Sequence, residues 1–351
     1  MSLRGLRALW ISLCAAPLAL LALAAGPQED GGTPAEWQAR LVDTGRSARL
    51  DALEGDTCLA CHREVGEEWR ASMHALAWQD ERYQHELKSI RRKKSCYGCH
   101  VPVALAAADR GARPEPREEL RHLGVHCTSC HLAADGATVL GPRGLATDAH
   151  PSERSELFDH ERGSALCVQC HDTTVGPVIG VAKDFVDTEQ TELGLSCVGC
   201  HMPGLERPWA NAPDVAQGAG AEADSAWPAR PARSHRLMTP RDPEFLAEAF
   251  LFRAKTDDGR TVLEIENQCG HRVPGLLERS ITFRAKVRDA AGGAAGAAEL
   301  VIDSRAFLPV EASLELEVEA EGATLELEGW HRAPGAREPV LFLERRFALG
   351  S

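Results

Sequence analysis

Aromatic side chains are scarce in this chain of 351 residues: they make up 5% of it, and tyrosine occurs only at Tyr83 and Tyr97. That is thin material for a conventional apolar core over residues 50 to 200, so something other than side chains must supply apolar bulk there. Positive charge is also short. Lys and Arg number 39 against 52 Asp and Glu, a net charge of −13, which argues against nucleic acid as a partner. A spanning segment is missing as well: the apolar run Ala8 to Leu23 is shorter than the ~20 residues a membrane helix needs and has no basic flank after it.

That run instead has the order of an export signal. Arg4 and Arg7 form a basic start, the apolar run follows, and Ala22-Leu23-Ala24 offers a small-residue cleavage site. An uncleaved anchor is the competing reading; residues 1–25 are expected to be removed. Loss of Arg4 and Arg7 takes the charge from −13 to −15, and Cys14 leaves with the signal.

Ten of the twelve cysteines then fall into one repeated word, Cys-x-x-Cys-His. Its copies are Cys58-x-x-Cys61-His62, Cys96-x-x-Cys99-His100, Cys127-x-x-Cys130-His131, Cys167-x-x-Cys170-His171 and Cys197-x-x-Cys200-His201. Two thiols three apart can add to the two vinyl groups of one porphyrin, and the next residue sets an imidazole beneath the iron. Zinc is the competing reading, since Cys-x-x-Cys pairs also build zinc ribbons. Histidine is only 14 of 351 residues, so chance would place it after all five pairs with odds on the order of one in ten million. Five covalently attached c-type haems are expected, and they would provide the missing apolar bulk. Cys269 is left as a single thiol, expected to be buried and inert.

The motif histidines are 38, 31, 40 and 30 residues apart, so no solenoid period is present. Residues 26–50 read as a linker with a short helical stretch around Trp37 to Val42, and residues 51–205 as a pentahaem domain of short helices and loops. Val65, Trp69, Met73 and Leu76 predict a helix from Glu64 to Trp78. A second helix is predicted from Arg82 to Lys94, where Arg91-Arg92-Lys93-Lys94 would sit at a C-terminus favoured by the dipole, or would neutralise propionates or dock a partner. Residues 206–245 form a Pro- and Ala-rich connecting arm. Over residues 246–351, seven short strand-like runs separated by turns such as Asp257-Asp258-Gly259 and Gly292-Gly293 predict a small antiparallel β-sandwich. The fold class is therefore α+β.

Nine further histidines compete for the second axial position. His74 lies twelve residues after His62, about 18 Å along a helix, so it should serve a haem held by another motif. His126 directly precedes Cys127 and can hardly reach the far face of that porphyrin. Trp69-Arg-Ala-Ser-Met-His74-Ala, Gly124-Val-His-Cys127-Thr-Ser-Cys-His131 and the His160 stretch before Cys167 resemble the cytochrome c-554 family of multihaem electron carriers. The resemblance covers roughly residues 50 to 175 and implies that His74, His150 and His160 are distal ligands. Larger relatives carry C-terminal elements like Ser234-His235-Arg and Gly270-His271-Arg-Val-Pro274-Gly275, which adds His235 and His271 as ligands; the alternative is that His271 caps a turn. His85, His122, His126 and His331 are expected to face solvent or to support a ligand, and Met202 is too close to His201 to serve the same iron easily.

Haems with two histidines each have no open position, so the expected function is electron transfer along an array of mostly bis-histidine haems. The alternative is an oxidoreductase acting on a small nitrogen or sulfur compound at a five-coordinate haem. Ammonia-forming nitrite reductases share the five-haem count but use Cys-x-x-Cys-Lys, absent here. Hydroxylamine-oxidising relatives need a cross-linked Tyr, and neither Tyr83 nor Tyr97 has a recognisable context. The carrier reading is favoured. The expected location is the periplasm, and the expected partners are redox proteins, a membrane quinone-linked complex among them. The sequence sets no oligomeric state.

Overall fold

The computed structural model describes residues 58–108, 113–144, 150–159, 164–210 and 228–349. The export signal, the linker with its Trp37–Val42 stretch, and His160 lie outside the described residues.

The first part of the chain is a string of short helices: α1 (Arg63–Arg70), α2 (Glu81–Ser89), α3 (Lys94–His100), α4 (Cys127–His131), α5 (Ala165–His171), α6 (Glu189–Glu192) and α7 (Cys197–His201). Four Cys-x-x-Cys-His words end a helix with their histidine: α3, α4, α5 and α7. The first lies on a 3-10 turn, Cys58–Ala60, closed by the His62 N–H on the Cys58 carbonyl at 2.9 Å. Side chains start these helices: Ser196 Oγ accepts from the Gly199 N–H at 3.1 Å, and Asp80 accepts from Tyr83 at 2.9 Å.

Two predicted helices are shorter than expected, for one reason in each case. The helix at Glu64–Trp78 stops at Arg70, because the chain at Gly124-Val125 crosses it: the Val125 N–H donates to the His74 carbonyl at 2.9 Å, and the Trp69 indole donates to the Val125 carbonyl at 2.8 Å. Backbone groups that would continue the helix are thus spent on a crossing segment. The Arg82–Lys94 helix ends at Ser89, since Ile90 is extended. The basic run consequently leads into the N-terminus of α3, whose first residue is Lys94, and the helix-dipole account of it does not hold.

Two small ribbons follow: β1 (Val139–Gly141) parallel to β2 (Ser152–Arg154), and β3 (Gly204–Arg207) antiparallel to β4 (Arg230–Arg233). After α8 (Pro243–Ala247) come seven strands: β5 (Phe250–Asp257), β6 (Arg260–Asn267), β7 (Ser280–Arg288), β8 (Ala294–Ile302), β9 (Ser313–Val318), β10 (Thr324–Arg332) and β11 (Val340–Ala348). They form two antiparallel sheets, ordered β5-β6-β9 and β11-β10-β7-β8. The turn at Asp258 and Gly259 takes φ of 45° and 79°, the left-handed pair that suits a tight hairpin.

One apolar cluster draws side chains from both sheets. Phe250 and Phe252 of β5 meet Phe283 of β7 with ring centres 5.1 and 5.5 Å apart, and Leu263, Ile265, Ile281, Leu325 and Leu327 are all buried around them. Each such side chain contributes about 1.5–3 kcal/mol on burial. The helical part has no comparable cluster among the described residues; Leu59, Trp69 and Ala75 form a small one. The architecture is α+β. No helix among the described residues is long and apolar enough to cross a membrane.

Candidate haem-binding site

Four of the motif histidines face a second histidine, each at nearly the same distance. Ring centres are 6.4 Å apart for His62 and His150, 6.3 Å for His74 and His171, 6.2 Å for His131 and His235, and 6.3 Å for His201 and His271. Two imidazoles on opposite sides of one metal ion have this separation: a metal–nitrogen bond of about 2 Å and about 1.15 Å from nitrogen to ring centre, counted twice, give ~6.3 Å. The four histidine separations agree within 0.2 Å, whereas ring contacts elsewhere run from 3.6 Å for His100 and Tyr83 to 6.3 Å for Phe250 and Phe342.

Hydrogen bonds orient these rings. Nδ1 of His62 contacts the Trp209 carbonyl at 2.5 Å, that of His100 the Ala77 carbonyl at 2.6 Å, that of His131 the Leu140 carbonyl at 2.7 Å, and that of His201 the Met238 carbonyl at 2.6 Å. His235 and His271 do the same on Arg233 and Arg272, at 3.0 and 2.9 Å. A proton held on Nδ1 leaves the Nε2 lone pair for a metal. Burial keeps the rings neutral: it drives His74 and His235 down to about 4 and also lowers His62, His131, His171 and His271. Neutral imidazole is the ligand form.

The thiols are gathered too. Cys58 adjoins Cys127, Cys99 adjoins Cys170, and Cys167 adjoins Cys197, which brings together motifs one and three, two and four, and four and five. Among the described residues, no three His, Cys, Asp or Glu side chains converge on one point, as zinc would require. Thiol pairs that each adjoin an imidazole, with imidazoles opposed at ~6.3 Å, fit a c-type haem. When bound, a haem supplies a one-electron couple at its iron.

The third motif is held against the His74 turn by Gly124, whose φ is +58°. A β-carbon there would lie 2.4 Å from the His74 carbonyl oxygen. The β-sheet part reaches the array through the loop before β7. Asp184 grips Arg272 at 2.5 and 2.7 Å, and Ile179 and Leu277 make backbone bonds to Gly275 and Pro177, so His271 is fixed from both sides.

Of the expected ligands, His74, His150, His235 and His271 each meet a motif histidine. His74 meets that of the fourth motif and not His62, as expected, although it lies beyond the end of α1 and no continuous helix runs from His62 to it. His126 and His331 were expected to face solvent or to support a ligand; both are buried, with 6% and 5% exposure. His126 packs edge-on against Trp69, 5.3 Å between ring centres, and His331 sits in β10 where strand alternation turns it inward. Cys269 packs against the β core and burial pushes its thiol up to about 12, in line with an inert group.

Sequence reasoning missed the surroundings of the second motif. Tyr83 lies flat on His100, Trp78 meets both Tyr83 and Tyr97, and Arg121 stands over Trp78 and Tyr97 at 5.5 and 5.2 Å. The signal available was that Tyr83 precedes the second motif and Tyr97 lies inside it. Also missed was Arg207, buried beside His235 and paired with Glu68; nothing in its local sequence marks it.

Residues 57–132 match the family model described as cytochrome c554 and c-prime, and residues 123–176 match that of the doubled CXXCH motif. With the geometry above, these matches define the class: the chain is a multihaem c-type cytochrome that carries electrons. A solved penta-heme cytochrome c552 from Thermochromatium tepidum shares its fold, with a TM-score of 0.54 and 16% identity over 86% of this chain and 100% of that one. A glycosyl hydrolase family 2 member from Bacteroides cellulosilyticus matches at a TM-score of 0.19 and 9% identity, over 29% of this chain and 13% of that one. No curated protein matches the sequence.

Proposed function

We propose that this is an exported pentahaem cytochrome whose five Cys-x-x-Cys-His words each hold one haem, four of them bis-histidine. The ligand pairs are His62–His150, His171–His74, His131–His235 and His201–His271. The four ring separations of 6.2–6.4 Å are the observation that carries this reading. The adjoining thiols support electron passage between the first and third motifs, and between the fourth and both the second and the fifth. The Cys residues would tether the haems, and the histidines would fill the positions where a solute would bind. The C-terminal part is a small β-sandwich that delivers His271. The periplasm is the expected location, and soluble or membrane-bound redox proteins are the expected partners.

The second reading, an oxidoreductase acting on a small nitrogen or sulfur compound, is kept for one centre. Among the described residues no imidazole faces His100 at ligand distance; its ring packs on Tyr83. Optical spectra of the ferrous and ferric protein with carbon monoxide and nitrite test both readings. The carrier reading expects at least four of five haems to be unresponsive. A response of the second-motif haem alone supports the oxidoreductase reading there, and a response of two or more haems would sink the proposed pairing.

A further inference from the structure

Arg207, on β3, is 5% exposed, and its Nε is enclosed without a partner. Its Nη1 lies 2.9 Å from Glu68 Oε2, and Nη2 donates to the Arg233 carbonyl at 2.6 Å and stands 3.5 Å from His235 Nδ1. The same Glu68 oxygen accepts the backbone N–H of His235 at 2.6 Å. One carboxylate on α1 therefore holds both the cation and the backbone of an imidazole 167 residues away. The same strand end reaches a second imidazole, for Nδ1 of His62 contacts the carbonyl of Trp209, two residues after Arg207, at 2.5 Å.

An ion pair taken out of water is weak as a source of stability, because desolvation offsets most of the attraction. Its position is what distinguishes it. A buried cation beside a haem opposes the ferric state, which carries one more positive charge than the ferrous state, and so raises the midpoint potential; a carboxylate lowers it. Arg207 is more deeply buried than Glu68, whose side chain is 21% exposed, so water screens the carboxylate more and the cation's field dominates.

We propose that Glu68 and Arg207 are a paired tuning device for the haems of the first and third motifs, with Glu68 also positioning His235. The proposal rests on the pairing of His62 with His150 and His131 with His235. Removing each member should move the same two couples in opposite directions. Glu68→Gln keeps an oxygen to accept from His235 and Arg207 but removes the negative charge; Arg207→Gln removes the positive one; Arg207→Lys keeps it.

The test is a spectroelectrochemical titration of the holoprotein, with the count of low-spin ferric haems by electron paramagnetic resonance recorded for each variant. Two midpoints are expected to rise in Glu68→Gln and the same two to fall in Arg207→Gln. Each change should be about tenfold in the reduced-to-oxidised ratio, ~59 mV for a one-electron couple. Arg207→Lys should restore most of the loss. Shifts of the same sign in both charge-removing variants, or none, overturn the proposal and leave a structural clamp. A wild-type spectrum unchanged by His235→Ala would overturn the ligand pairing instead, a separate outcome.

Discussion

Gly124→Ala tests how tightly backbone geometry and iron ligation are coupled. Gly124 has φ of +58° and ψ of −134°, a region in which an L side chain is strained by about 1–3 kcal/mol. Space adds a second cost: the new β-carbon would stand 2.4 Å from the His74 carbonyl oxygen and 2.7 Å from that of Ala75. Ordinary contact distance requires the two segments to part by about 1 Å, against the Val125–His74 bond of 2.9 Å and the Trp69–Val125 bond of 2.8 Å. Losing or lengthening these brings the total to about 3–5 kcal/mol. At roughly 2–4 °C per kcal/mol the melting temperature should fall by ~6–20 °C. The displaced residue is the one that opposes His171, so one low-spin haem should become high-spin. Gly136→Ala is the control, because Gly136 has φ of +70° but open space around it and should lose only the strain. Melts by circular dichroism and ferric resonance spectra check both. A Gly124→Ala protein that melts within about 2 °C of wild type with all its low-spin signals would refute the coupling.

Two further outcomes follow from the β-sheet part and its attachment. Arg272 holds the Asp184 carboxyl below its ordinary value, so the pair stabilises the fold above the unfolded carboxylate range near ~3.9 and that contribution fades as pH falls through and below it. Wild type should out-melt Asp184→Asn near neutrality, with the gap closing as the pH approaches about 3; a constant gap would count against the ion pair. Phe283 is fully buried among Phe250, Phe252 and Phe342, and Phe283→Ala should cost about 3–5 kcal/mol. Denaturant melts should show the lost sheet signal coinciding with a spectral change of the haem that the proposed pairing assigns to His271; a loss of less than about 1 kcal/mol would show that the two sheets do not share this core.

The parts of the molecule legible in sequence are those fixed by local chemistry. Five repeated words, the alternation of β5 through β11 and the Asp258-Gly259 turn require only near neighbours. That His74, His150, His235 and His271, four of the five histidines expected as ligands, would each face a motif histidine was also legible, because a haem leaves an axial position to fill. What stayed hidden was set by meetings across long separations. The periodicity from Val65 to Leu76 is truly helical, yet it cannot reveal that Val125 captures the His74 carbonyl. Ile90 breaks α2 with no Gly or Pro to announce it. Which histidine opposes which is likewise invisible: His74 stands 97 positions before His171, and His150 is 88 after His62. Glu68 and Arg207 look like any surface charges until folding encloses them.

The loop that carries His271 also bears on how this molecule could be divided. All five Cys-x-x-Cys-His words are complete by residue 201, but in the proposed pairing the third and fifth irons wait for histidines at 235 and 271. A fragment cut after the last haem would thus keep every cofactor and leave two irons exposed to whatever small ligand is near. In that pairing the sheets do more than append a domain: through His271 they would close the coordination of the fifth haem, and a loss confined to them would convert one end of a wire into a reactive surface.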